Sequence, residues 1–318
     1  MPPKVAANIG QIWKLGGILL YYLYTVFQQV IHTINLQGVH VDVLRLDLGT
    51  PDGIGNKYYK LKYKLDHARQ QNQHTLLSFG GAFSNHIQAL SLLGSQHHFQ
   101  TIGVIRGEDD ANNPTLQFAR EHGMQLHFVG REAYKSKDSA DFIDELKQKF
   151  GDFYLIPEGG SNDLAVRGCM EILHGLEPNY TQVLLSCGTG ATLAGVAATP
   201  TLTARVTGIS VLKGIDQLTN QVTAFIPPDT NPAPWQILFD YHLGGYAKNS
   251  KDLANCMQFL QGIPDLTTDP VYTAKLFCAA NHMISAGLLL PDDHILLIHT
   301  GGLQGIQGWK YRFPGYPY

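Results

Sequence analysis

The chain of 318 residues is short of several things, and each shortage removes a class of protein. It has no excess of one charge. Its 23 Lys and Arg against 26 Asp and Glu give a net charge of −3, with no basic footprint for nucleic acid or an anionic membrane surface. Cysteine is scarce. Cys169, Cys187, Cys256 and Cys278 include no C-x-x-C pair, which argues against a structural zinc site. Four are too few for a disulfide framework and read as buried free thiols, as suits a reducing cytoplasm. The fourteen histidines form no H-E-x-x-H or other metal spacing, so no catalytic metal is expected. No G-x-S-x-G elbow of an α/β-hydrolase is present.

Long hydrophobic runs are also few. Leu15 to Phe27 is apolar but carries tyrosines, is too short for a comfortable membrane span and precedes no small-x-small cleavage site. It reads as an extension outside the rest of the pattern, and no membrane partner is expected.

What is present is an alternation of short β-branched runs with helical patterns from about Val39 onward, the signature of βα units and a mostly parallel sheet. Strands are predicted at Val39–Leu46, Thr75–Phe79, Thr101–Arg106, Gln125–Val129, Tyr154–Ile156, Gln182–Ser186, Val206–Val211 and Ile295–His299. Ligands of such sheets bind beyond the carboxyl ends of strands. The chemistry-bearing residues fall in those places.

Gly55-Asn56-Lys57 puts a lysine between a strand and a helix, where a turn aims it inward. An enzyme would hold a carbonyl cofactor there as a Schiff base. Lys60, Lys62 and Lys64 read as a solvated helical face. Gly188, Thr189, Gly190, Ala191 and Thr192 follow an apolar strand and open a helix, offering backbone N–H groups and hydroxyls to one phosphate. The stretch is neither a P-loop nor G-x-G-x-x-G, which disfavours a nucleoside triphosphate or a dinucleotide, and by itself it also serves as a tight turn. Ser84, Asn85 and His86 end a glycine-rich turn, where a helix cap accounts for one polar residue but not three. Asp269-Pro270 reads as a helix start ahead of Tyr272 and Thr273, and Thr300-Gly301 ends the last strand. Glu108-Asp109-Asp110 reads as a solvated charge run.

Together these segments resemble the 1-aminocyclopropane-1-carboxylate (ACC) deaminase / D-cysteine desulfhydrase family. Its members are pyridoxal-phosphate (PLP) enzymes of the tryptophan-synthase β fold, called fold type II. The resemblance runs from Val39 to Gly302 and rests on Gly55-Asn56-Lys57-Tyr58-Tyr59-Lys60-Leu61, Ser84-Asn85, Gly188 to Thr192, Asp269 to Tyr272 and His299 to Gly302. It implies an α/β fold of two parallel-sheet domains. A larger PLP domain would span 37–58 and 158–318 and a smaller one 59–157, with 1–36 an atypical N-terminal extension.

The resemblance also implies that Lys57 carries PLP, that Asn56, Asn85, Thr300, Gly301 and the Gly188–Thr192 loop bind it, and that Ser84 and Tyr272 act in catalysis. Substrate contact would fall to His86 and Thr273. His86, Thr273 and Thr300 match the desulfhydrase-like members, whereas deaminases typically carry Gln, Glu and Leu there. A hydroxyl at the ring nitrogen leaves the pyridine less protonated, which favours β-elimination from a small amino acid. ACC deaminase or a non-catalytic PLP-binding homologue are the alternatives. Family members tend to be homodimers. The chain departs from the family in Leu44-Arg45-Leu46-Asp47-Leu48, in Tyr59 where the motif has arginine, and before residue 37.

Overall fold

The structure is a computed structural model describing residues 29–176, 179–215 and 217–315. The run Leu15–Phe27 lies outside the described residues. Ten strands occur among them: β1 (Ile31–Leu36), β2 (Val39–Arg45), β3 (Thr75–Gly81), β4 (Gln100–Arg106), β5 (Gln125–Val129), β6 (Tyr154–Ile156), β7 (Gln182–Cys187), β8 (Arg205–Ser210), β9 (Trp235–Leu238) and β10 (Ile295–His299). They form a six-stranded sheet of order β1-β2-β10-β7-β8-β9 and a four-stranded sheet of order β5-β4-β3-β6. Every pairing is parallel except β1 with β2. The fold is thus the α/β, two-sheet arrangement expected.

Each predicted strand is present to within two residues at either end, because strands covered on both faces read as continuous apolar runs. Two strands are additional. Residues 31–36, assigned from the sequence to the extension, form β1, which corrects that boundary. Gln37 (φ 53°) and Gly38 (φ 87°) make the two-residue reversal that folds β1 onto β2, a geometry suited to the strand twist. Short β9 closes the other edge.

Successive strand residues face opposite ways, so the large sheet feeds two cores. Leu44, Leu185, Val206, Leu296 and Ile298 pack on one face. Val41, Val43, Leu184, Ile209 and Leu297 pack on the other. Truncating any of these to alanine would cost ~2–5 kcal/mol in lost contacts and cavity.

The helices that matter for the site are α1 (Asn56–Gln70), α2 (Asn85–Gln96), α3 (Asp163–Cys169), α4 (Ala191–Ala197), α5 (Lys251–Leu260) and α6 (Thr273–Ser285). Helix α1 belongs to both halves. Its Tyr59 lies in a core of the large sheet, and Leu61, Leu65 and Ala68 lie in a core of the small one. A helix buried on two sides leaves little surface for its lysines.

Cysteine is the second correction. Cys256 on α5 and Cys278 on α6 form a disulfide with Cα atoms 6.0 Å apart, leaving only Cys169 and Cys187 free. The expectation of four free thiols fails, and with it the cysteine argument for a reducing compartment. Among the described residues no helix is long and apolar enough to cross a membrane.

Candidate active site

The carboxyl ends of β2, β10, β7 and β3 converge where the two sheets meet. Gly55 (φ 61°, ψ −135°) turns the chain into α1 in a conformation reserved for glycine. A Cβ there would lie 2.1 Å from the Thr300 carbonyl oxygen and 2.7 Å from Gly301 Cα. The Asn56 N–H donates to the Thr300 carbonyl at 3.0 Å. The lysine turn is thereby joined, backbone to backbone, to the end of β10.

Lys57 Nζ donates to Asn56 Oδ1 at 2.9 Å, and Asn56 Nδ2 donates to Thr192 Oγ1 at 2.9 Å. Its side chain keeps partial access to solvent. Burial lowers its pKa to about 8, with the negative potential of Cys169 and Asp269 acting the other way. An amine of that pKa is substantially neutral just above neutral pH, as a nucleophile toward a carbonyl must be.

The Gly188–Thr192 turn lies beside this lysine. Gly190 (φ 83°) shapes it, and Gly188 sits so close to the Tyr272 ring that a Cβ would be 3.4 Å from Cε1. Lys60 reaches the same corner. Its Nζ donates to Ser161 Oγ at 2.8 Å and to Thr189 Oγ1 at 3.2 Å, and those two hydroxyls lie 2.6 Å apart. Lys64 Nζ donates to the Lys60 carbonyl at 3.0 Å and to Asn162 Oδ1 at 2.5 Å.

Lys60 and Lys64 are 2% and 0% exposed, which overturns their assignment to a solvated face. Burial, then the charges of Lys57 and Lys64, holds Lys60 well below the usual lysine range, and burial takes Lys64 down to about 7. Among the described residues no carboxylate hydrogen-bonds either amine. Only Lys62 behaves as expected, pairing at the half-exposed surface with Glu171.

Ser84 caps α2, its Oγ accepting from the Ile87 N–H at 3.3 Å. Asn85 reaches across to the end of β10, where a Cβ on Gly302 would sit 2.4 Å from its Nδ2. His86 turns the other way. It is 2% exposed and its Nε2 is 2.8 Å from Ser78 Oγ. Ser78 Oγ gives its proton to the Ile156 carbonyl, so His86 donates from Nε2, and its buried Nδ1 has no partner. Burial, then the nearby Lys60, keeps this imidazole neutral.

Thr273 is also buried, its Oγ1 donating to Asp269 Oδ1 at 2.8 Å. His86 and Thr273, expected at the substrate, are thus each bonded to the framework, His86 to Ser78 and Thr273 to Asp269.

Tyr272 stands at the start of α6. The Asp269 carboxylate fixes that start by accepting the N–H groups of Val271, Tyr272 and Thr273 at 2.9, 3.0 and 2.9 Å. Ser186 Oγ, at the end of β7, donates to the Tyr272 carbonyl at 2.9 Å. The Tyr272 hydroxyl is 3.5 Å from that of Tyr246, and the rings meet edge to face at 6.0 Å. Burial, then the neighbouring Tyr246, raises the Tyr272 phenol well above its ordinary pKa, so it can donate a proton but is not a resident phenolate. Sequence reasoning missed Tyr246; the glycine pair Gly244-Gly245 before an aromatic was the available signal.

Behind the Thr300 turn lies a closed ion network. Arg45 grips Asp47 through two bonds of 2.9 and 2.6 Å, and the ring nitrogens of His299 lie 2.9 Å from Asp47 Oδ1 and from the Thr267 carbonyl. Desolvation opposes the Asp47 charge, but Arg45 and His299 outweigh it and hold this carboxyl below the usual carboxylate range. Two cavities elsewhere, beside Asn249 and Arg312 and beside His32 and Arg45, include none of the site residues above except the back of this network.

A depressed amine, a corner of hydroxyls and buried lysines with no bonded carboxylate among the described residues, and close-packed glycines suit a phosphorylated aldehyde. Residues 35–301 match the family described as pyridoxal-phosphate dependent enzyme, and the chain belongs to it, with PLP as its cofactor.

The chain is 26% identical over 306 residues to the bifunctional D-cysteine desulfhydrase/1-aminocyclopropane-1-carboxylate deaminase of Arabidopsis thaliana, covering 87% of this chain and 76% of that protein. It is 25% identical over 275 residues to the D-cysteine desulfhydrase of Klebsiella pneumoniae, covering 78% and 82%. A crystal structure of an ACC deaminase homologue superposes with a TM-score of 0.73 at 24% identity, covering 87% of this chain and 90% of that one, and so shares the fold.

Proposed function

We propose that this chain is a PLP-dependent lyase that releases ammonia and an α-keto acid from a small amino acid, by desulfhydrase-like β-elimination. With D-cysteine as substrate, water is consumed and pyruvate, ammonia and hydrogen sulfide are formed. Lys57 would hold the cofactor and, once displaced by the substrate amine, take the α-proton on Nζ. When bound, PLP supplies the electron sink for the carbanion that remains. Asn56 orients the Lys57 amine; Lys60, Thr189 and Thr192 bind phosphate. Ser84 and Tyr272 bind the substrate carboxylate or pass a proton, and Asn85 and Thr300 flank the ring.

The observation that carries this reading is the Lys57 amine, lowered to about 8 and joined through Asn56 to the Thr192 turn, where the lysines bond no carboxylate among the described residues. Elimination rather than ring opening is favoured because no free acid stands beside Thr300 for the ring nitrogen among the described residues. Asp269, whose charge Lys57 feels, is spent on capping α6, and Thr300 offers only a hydroxyl.

Lys57→Ala is expected to lose the yellow absorbance of the lysine-linked cofactor; a variant that keeps the band removes Lys57 from its role. The ACC reading draws on relatives named for ACC deaminase, among them that of Thermotoga maritima at 28% identity over 286 residues, and on the plant relative that carries both names. Keto-acid release from D-cysteine and from ACC, measured side by side, decides between them. Cofactor binding without turnover of any amino acid would mark a non-catalytic homologue.

A further inference from the structure

Lys275 lies on α6 just after Tyr272 and Thr273 and is wholly buried. Its Nζ donates to the Gly245 carbonyl at 2.8 Å and to the Val211 carbonyl at 3.2 Å. An amine sealed among backbone carbonyls is a costly way to fill space, since an apolar side chain of similar length would do so without desolvating a charge. Its two acceptors belong to distant segments that both border the site.

Val211 follows β8. Its N–H bonds to the Cys187 carbonyl at 3.0 Å, and its side chain lies against Gly188. Gly245 immediately precedes Tyr246. The stretch around it is irregular, with Leu243 at φ 47°, Gly244 at 95°, Gly245 at 105° and Ala247 at 49°. Two non-glycine residues in the left-handed region persist only where neighbours over-determine the backbone. The Lys275 ammonium is such a neighbour, and its own helix begins with the other phenol.

We propose that Lys275 is a positioning residue that pins the 243–247 segment and so holds the Tyr246 hydroxyl against that of Tyr272. The proposal rests on the lyase reading, in which Tyr272 handles the substrate. It assigns the phenol pair to substrate orientation and leaves cofactor retention to groups Lys275 does not touch: Lys57, Asn56, Lys60 and Thr192.

The test compares wild type with Lys275→Met, Tyr246→Phe and the double variant. Amide hydrogen exchange of the cofactor-free protein is read first. Exchange across 243–248 should accelerate at least about tenfold in Lys275→Met, while α1 and the Gly188 turn keep wild-type rates. In the loaded enzyme the absorbance band and cofactor affinity should persist. The kcat for D-cysteine should fall at least about tenfold, and adding Tyr246→Phe should lower it little further. Unchanged exchange across 243–248, or single-variant losses that simply multiply, would overturn the proposal. If Lys275→Met does not fold, Lys275→Gln, which reaches at most one of the two carbonyls, is read in the same way. A wild-type protein without the absorbance band would instead sink the lyase reading, and the exchange measurement would still judge the clamp.

Discussion

Two buried charge clusters flank the joint between Gly55 and Thr300, and they are built on opposite terms. Behind it, Arg45, Asp47 and His299 satisfy one another, and the Asp265 carbonyl takes a further Arg45 proton at 2.8 Å. In front of it, Lys57, Lys60 and Lys64 share one side of α1 and find only neutral oxygens. The first cluster is electrically complete and holds the backbone. The second has no bonded carboxylate among the described residues, and a bound phosphate dianion would favour the charged form of its amines. Burial alone therefore does not say whether a charged group is already satisfied; its partners do.

The sharpest break of this contrast is Asp47→Asn. It strands the Arg45 charge inside the protein and should destabilise the fold by about 3–5 kcal/mol, read by urea unfolding. Removing a charge from the other cluster should act in reverse. Lys60→Met should weaken PLP binding about 10- to 100-fold, as expected from a charged hydrogen bond of ~1.5–3 kcal/mol, yet leave the cofactor-free protein as stable as wild type or more so. A Lys60→Met protein that melts well below wild type without cofactor would overturn this contrast.

Both clusters should favour the fold more as pH rises, but in different windows, acidic for Asp47 and near-neutral to basic for the lysines. The folded pKa of Asp47 is depressed, so its stabilisation is present above the unfolded value of about 4 and is lost as pH falls below it. Lys57, Lys64 and Lys275 have folded values of about 8, 7 and 8, below the unfolded value of about 10.4. The unfolded chain holds the extra protons, so the cofactor-free protein should gain stability as pH rises from about 7 toward 10. Melting curves between pH 6 and 9 should climb, and inorganic phosphate should flatten the slope by stabilising the protonated lysines. Lys62→Ala sets the floor of the series. Its half-exposed pair with Glu171 should be worth no more than about 1 kcal/mol in the same melts.

The strands and their turns were legible because their signals are local. An apolar run such as Ile295–His299 admits few readings, and the Gly188–Thr192 turn follows such a run directly. What stayed hidden depends on contacts distant in sequence. Lys60 and Lys64 look like solvent residues until α1 is seen to be covered by both halves. Tyr246 stands far from any strand end and matters only through its contact with Tyr272. Strand β1, with only alternate residues buried, gives a faint apolar pattern, and β9 is four residues long. The pairing of Cys256 with Cys278 follows from α5 lying against α6, which spacing alone does not reveal. The bonds of His86 to Ser78 and of Thr273 to Asp269 were also hidden, because motif position specifies a neighbourhood but not the direction of a side chain.

Strand β10, nearly the last element in the chain, sits between β2 and β7 in the middle of the large sheet. The seat of Lys57, made near the start, is closed by the backbone of Thr300 and Gly301. During synthesis the Lys57 amine must therefore wait, unhoused, until β10 has left the ribosome, and contacts of such long range close slowly. A nascent chain that stops short of β10 has the lysine but not its chamber.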